Sequence, residues 1–129
     1  MNLARTSLDY LNDIEIEIGF ALQFVDGYTY ESFELDRKTW YAVVRALLVI
    51  GEAAKRIAVA DRGRAPTIPW RLMTGMRDRL VHDYDRVQLK LVWSTVLDDL
   101  PQLLPAIREL RDVLLAEEPP RTEESLWPI

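Results

Sequence analysis

A chain of 129 residues is the length of one domain, able to bury a single core without staples. Apolar residues make up 49% of it and charged residues 29%, as in an ordinary globular protein, and the absence of cysteine excludes disulfides and thiolate metal sites. A formal net charge of −5 excludes a protein that coats nucleic acid indiscriminately.

The lack of cysteine fits a reducing cytosol, the expected compartment, and the N-terminus, Met1-Asn2-Leu3-Ala4-Arg5, lacks the apolar stretch of a signal peptide. The longest apolar run, Ala46 to Gly51, is far too short to span a bilayer. Leu11, Ile14, Ile18, Leu22 and Val25 recur at three- and four-residue intervals and mark one amphipathic helix. Asp26-Gly27 stops it, and Thr29 to Leu35 has room for one short helical turn. Asp36 then caps a second helix expected to run to about Asp61. Its apolar circumference from Trp40 to Ile50 predicts a central position, and Gly51, Ala53 and Ala54 permit close approach by a neighbour.

Arg62-Gly63-Arg64-Ala65-Pro66 breaks the pattern, and Pro69 suits the first position of a third, shorter helix reaching His82 or Asp83. The last helical stretch begins near Val87 and carries Leu89, Val92, Val96, Leu100, Leu103, Ile107, Leu110 and Leu114 on a nearly heptad stripe. Pro101 and Pro105 predict a kink or break near Leu100. From Glu118 the sequence reads as a flexible tail, which leaves residues 1–117 as the domain. No segment alternates as a strand does. The expected fold is all-α, a four-helix bundle with one short extra turn.

Charge is unevenly distributed. Between Arg62 and Lys90, seven basic residues face three acids, a local +4 that leaves −9 for the rest of the chain. Such a patch suits one stretch of polyanion, although a solvated arginine-rich loop reads the same way. There is a single histidine, no glycine-rich phosphate loop and no ExxH spacing for a carboxylate metal site, so neither metal nor cofactor is expected.

What remains is Gly75-Met76-Arg77-Asp78-Arg79-Leu80-Val81-His82-Asp83-Tyr84. Asp78 precedes His82 by four residues and shares its helix face, from where the carboxylate could orient the imidazole. Arg77 precedes it by five, roughly 140° around the helix, so it meets His82 by its long arm or meets the histidine of a second subunit. Histidine and arginine without metal suit RNA cleavage by the 2′-hydroxyl: histidine moves protons near neutral pH, and arginine stabilises the charged phosphorane. One histidine cannot easily serve as both base and acid; a two-fold dimer supplies two. The plainer alternative is a helix-end ion pair between Asp78 and His82 with solvated arginines around it.

Arg77-x4-His82-x-Tyr84 resembles the motif of HEPN ribonucleases. Asp36-Arg37-Lys38-Thr39, Ile50-Gly51-Glu52-Ala53-Ala54-Lys55-Arg56, Ile68-Pro69-Trp70-Arg71, Val92-Trp93 and Asp99-Leu100-Pro101 are similar, in order, to signature segments of the HepT-like toxins. The resemblance covers about Leu8 to Leu115. It implies a HEPN-like homodimer that cuts RNA without metal through Arg77 and His82, with Asp78 and Tyr84 in support. It implies a toxin of a type VII-like toxin–antitoxin system, whose partner is an MntA-type nucleotidyltransferase antitoxin that transfers AMP onto Tyr84. Arg71, Arg79 and Arg86 are the expected RNA-binding cations. The alternative within this resemblance is a catalytically silent nucleotide-binding or docking subunit. Glu52 suits a cleft wall or an ion pair between helices, Trp70 and Trp93 read as core anchors, and Trp127 has no evident core to join.

Overall fold

The computed structural model describes residues 4–119 and is helical throughout, with no strand among them. The tail expected from Glu118 onward, Trp127 included, lies outside the described residues except for Glu118 and Pro119.

Helix α1 (Ser7–Val25) starts at a reciprocal cap: the Asp9 N–H donates to Thr6 Oγ1, and the Thr6 N–H donates to Asp9 Oδ2 at 2.8 Å. Leu11, Ile14, Ile18, Ala21 and Val25 form its buried stripe, and Gly27 ends the turn beyond it at φ +78°, a left-handed conformation that suits glycine. The short helix α2 (Tyr30–Leu35) is pinned by one fully buried side chain, Phe33, whose ring lies 5.1 Å from that of Trp93. Asp36 caps α3 (Arg37–Arg56), accepting from the Thr39 N–H at 3.2 Å, from Thr39 Oγ1 and from the Tyr28 hydroxyl. Those bonds, the Tyr28 one foremost, hold the Asp36 carboxyl below its ordinary range.

Helix α3 stops at Arg56, short of the expected Asp61, and α4 (Val59–Arg62) is a separate turn. Ile57 leaves the helix in an extended conformation and is buried, while the Ala58 N–H donates to Ser7 Oγ at 3.1 Å. Burying Ile57 against the core and satisfying the freed N–H from α1 outweigh one more turn of helix. Pro69 takes the cap position of α5 (Trp70–His82), and the Trp70 indole N–H is shared by the carbonyls of Arg62 and Ala65, both at 3.1 Å. Trp70 is buried and Trp93 packs on the core, as their reading as anchors predicts.

After a 3₁₀ turn (Tyr84–Arg86), α6 (Leu89–Ser94) runs into a π-turn (Thr95–Asp99) and then α7 (Leu100–Glu117). The irregularity expected near Leu100 is this widened turn. The Leu100 N–H bonds the Thr95 carbonyl five residues back, and the widening comes directly before Pro101, which has no N–H to give. Helix α1 packs on α3 and α7, and Glu15 of α1 is paired with both Arg108 and Arg111 of α7. Helix α3 is central, as its composition predicts, and α5 packs almost entirely on it. No helix among the described residues is long and apolar enough to cross a membrane.

Phe33 is α2's only buried residue, so Phe33→Ala should cost about 3–5 kcal/mol, read as a lower midpoint in chemical denaturation. A loss under about 1 kcal/mol would mean that α2 is not held by this contact.

Candidate active site

Helix α5 carries the site, and one close contact sets its rotation. A Cβ placed on Gly51 would lie 2.3 Å from Arg77 Cβ and 2.8 Å from the Met73 carbonyl oxygen. The two helix backbones therefore meet at a distance that a residue with a side chain does not allow. Arg77 crosses α3 at this point, and its Nε lies 3.0 Å from Glu52 Oε2, while Nη1 donates to Asp78 Oδ1 at 3.1 Å. Glu52 uses its other oxygen to accept from Arg56 Nε at 3.0 Å. The Arg56 hydrogen bond is the chief reason that the Glu52 carboxyl is held below its usual range, with the Arg77 charge adding to it. Arg77 is thus a half-buried cation clamped between two carboxylates.

His82 closes α5 and is exposed, and its imidazole makes no side-chain hydrogen bond or ion pair with any described residue. The expected Asp78–His82 contact does not form, because the permanent cation next door takes the Asp78 carboxylate. Nor does a hydrogen bond link Arg77 to His82 within one chain. Roughly 140° of helix rotation separates them, and Glu52 draws the guanidinium toward α3. Tyr84 stands in the 3₁₀ turn just beyond, 79% exposed.

Two grooves flank α5. The larger, about 1150 Å3, runs between α5 and the α6–α7 stretch over an apolar floor that includes Ile50, Met73 and Leu103. Arg71, Arg79 and Arg86, the three cations expected to bind RNA, line it together with Asp83 and Asp99. The smaller, about 430 Å3, lies between α1, α3 and α5 and holds Arg77 with Glu52 and Arg56. Arg77 and the three other arginines are therefore on opposite sides of α5. Sequence reasoning weighed Glu52 for a cleft wall but passed over Arg5, Arg45 and Arg56, which also line the smaller groove. The signal was present: Arg45, Glu52 and Arg56 recur at seven and four residues along one helix face. Among the described residues no three His, Asp or Glu side chains gather at metal-binding spacing.

An all-α bundle with Arg77, His82 and an exposed Tyr84 at one helix end fits the class expected from the sequence, the helical HEPN-like proteins. Within that class the family model described as "Ribonuclease HepT-like" matches residues 14–110, and this chain belongs to the HepT-like ribonuclease family. A Thermococcus cleftensis protein named "Probable ribonuclease HepT" is 41% identical over 109 residues, 84% of this chain and 99% of the relative. Two relatives named "Putative RNase" come from Caldanaerobacter subterraneus (35% identical, covering 82% of this chain and 95% of the relative) and Methanocaldococcus jannaschii (38% identical, 74% of each). No solved structure matches the chain.

The Gly51 contact gives a paired test. Gly51→Ala should destabilise the chain by about 1–3 kcal/mol, because backbone and the stem of Arg77 must both move. Gly19→Ala on α1, where a Cβ meets nothing within 4 Å, should instead stabilise it by roughly 0.5–1 kcal/mol. Equal effects at the two positions in thermal melts would show that α5 does not depend on this approach.

Proposed function

We propose that the chain is a metal-independent endoribonuclease and the toxin of a toxin–antitoxin pair. The observation that carries this reading is Arg77 clamped by Glu52 and Asp78, five residues before an exposed His82 that no described residue engages. An unengaged imidazole is free to move a proton, and a fixed guanidinium offers its donors where phosphorane charge develops. In the proposed reaction the RNA 2′-oxygen loses its proton to a base and bonds to the adjacent phosphorus. The 5′-oxygen leaves with a proton from an acid, and a 2′,3′-cyclic phosphate remains.

A two-fold dimer supplies both acid and base from two copies of His82 and lets Arg77 of one chain serve beside His82 of its partner. Arg71, Arg79 and Arg86 then draw RNA in through charge. Relatives named as RNases support the reaction class. The separation of Arg77 from His82 in one chain is what the silent alternative, a nucleotide-binding or docking subunit, has in its favour, and activity decides between the two.

Purified protein should cleave RNA in the presence of EDTA and leave cyclic phosphate ends. His82→Ala and Arg77→Ala should each lower the rate by at least ~10²-fold. Cleavage that chelator stops and added metal restores would overturn the mechanism.

The proposed control acts on Tyr84, whose exposed hydroxyl sits two residues past His82. An MntA-type nucleotidyltransferase would join the tyrosine oxygen to the α-phosphorus of ATP and release pyrophosphate. The added AMP brings bulk and about one negative charge to the place where substrate phosphate binds. Incubation with the cognate enzyme, ATP and Mg²⁺ should raise the intact mass by whole AMP units mapping to Tyr84, and RNA cleavage should fall in step. Silencing without a mass change would mean simple occlusion by the antitoxin.

A further inference from the structure

The smaller groove holds one arginine that is hydrogen-bonded or ion-paired to no described residue. Arg5, Arg45, Arg56 and Arg77 all line it, against Asp13 and Glu52. Arg5 is paired with Asp13 at 2.7 Å, Arg56 with Glu52 at 3.0 Å, and Arg77 with Glu52 and Asp78. Arg45 is exposed and has no carboxylate within 4.0 Å among the described residues. Glu17 of α1 lies near without pairing: burial pushes its carboxyl above the ordinary range, and the Arg45 charge partly opposes this.

Placement gives that free guanidinium a use. Arg45 and Glu52 are seven residues apart on α3, two turns on one face, so roughly 10 Å of helix axis separates Arg45 from the carboxylate that holds Arg77. Leu48, Val49, Ala53 and Val81 are the apolar residues of the groove, and the carboxylates that line it, Asp13 and Glu52, are already paired with other arginines. A planar guanidinium with unused donors suits two phosphate oxygens at once, and a nucleic-acid backbone presents phosphates in series. The paired arginines of the groove lend positive potential, and Arg77, held through Nε and Nη1, keeps further donors of its guanidinium for a phosphate.

We infer that single-stranded RNA runs along this groove and that Arg45 is a positioning residue, holding a backbone phosphate beside the one at Arg77. The inference rests on the ribonuclease reading and adds the path of the substrate. It sets the main phosphate contact on the opposite side of α5 from Arg71, Arg79 and Arg86, which are left to long-range attraction.

The test uses the full chain carrying His82→Ala, so that RNA binds without being cut. Binding of a labelled single-stranded RNA is followed by fluorescence anisotropy across a salt series. Adding Arg45→Gln should weaken binding about tenfold, the loss of one charge-assisted contact, and make the logarithmic salt slope shallower by about 0.7. Arg45→Lys should recover the slope, a rescue that a merely structural role would not show. With His82 intact, the Arg45→Gln loss should appear in KM rather than kcat. In the chain unmutated at 45, bound RNA should also protect Arg45 from an arginine-specific dicarbonyl, read by peptide mass, which keeps the test open if the Gln variant folds poorly. Unchanged affinity and slope, or an unprotected Arg45, overturns the inference. Weaker binding by Arg71→Gln, Arg79→Gln or Arg86→Gln would then put the RNA in the other groove with the ribonuclease reading intact. A His82→Ala chain that binds no RNA, together with an unmutated chain that cleaves none, overturns both.

Discussion

At Gly51 the backbones of α3 and α5 come so close that the Arg77 side chain starts where a Cβ would otherwise stand. Because α5 packs almost entirely on α3, this contact does more than save space. It selects the rotation of α5 about its axis, and the rotation decides what each of its residues faces. Arg77 is turned to Glu52, Met73 and Trp70 are turned to the core, and His82 is left pointing away from the bundle. A helix rotated by one residue, roughly 100°, would present a different side chain to Glu52 and leave the motif arginine elsewhere.

The charges around Arg77 serve orientation more than stability. Its pairs with Glu52 and Asp78 are partly open to water, where such contacts contribute only about 0–1 kcal/mol. Two carboxylates nevertheless restrict a side chain that would otherwise sample many rotamers, and they do so without neutralising every donor. Near the other end of α5, Arg64 pairs through both terminal nitrogens with the one carboxylate of Glu117, tying the loop before the helix to the end of α7. Trp70 adds a neutral anchor there through its shared indole N–H. The helix is thus fixed at its N-terminal end by packing and hydrogen bonds, while its C-terminal end, with His82 and Tyr84, stays accessible.

Much of this was open to reading in the amino-acid order. The stripe from Leu11 to Val25, the short helical turn between Thr29 and Leu35, the cap at Asp36 and the stop at Gly27 each act locally, so the chemistry of a few neighbouring residues is enough to predict them, while Pro69 stands one place earlier than expected, at the cap of α5 rather than at its first residue. The small residues of α3 predicted a close neighbour for the same reason, and α5 is that neighbour. The end of α3 was misread because nothing local stops a helix at Arg56. Ile57 leaves it to reach a core built by other segments, and the Ser7 hydroxyl that receives the Ala58 N–H is 51 residues away.

The candidate site divides along the same line. The residue order determined that Arg77, Asp78, His82 and Tyr84 lie along one helix end and that basic residues gather between Arg62 and Lys90. Spacing along one helix also limited which pairs share a face, but not which of them bond, and so Asp78 was matched to His82 when Arg77 holds it. The tertiary structure alone decided that Glu52, 25 residues earlier in the chain, meets Arg77, and that the arginines of α5 face two different grooves. Helix periodicity is a property of a single segment; the rotation of one helix against another depends on which side chains, or which missing Cβ, let their backbones approach.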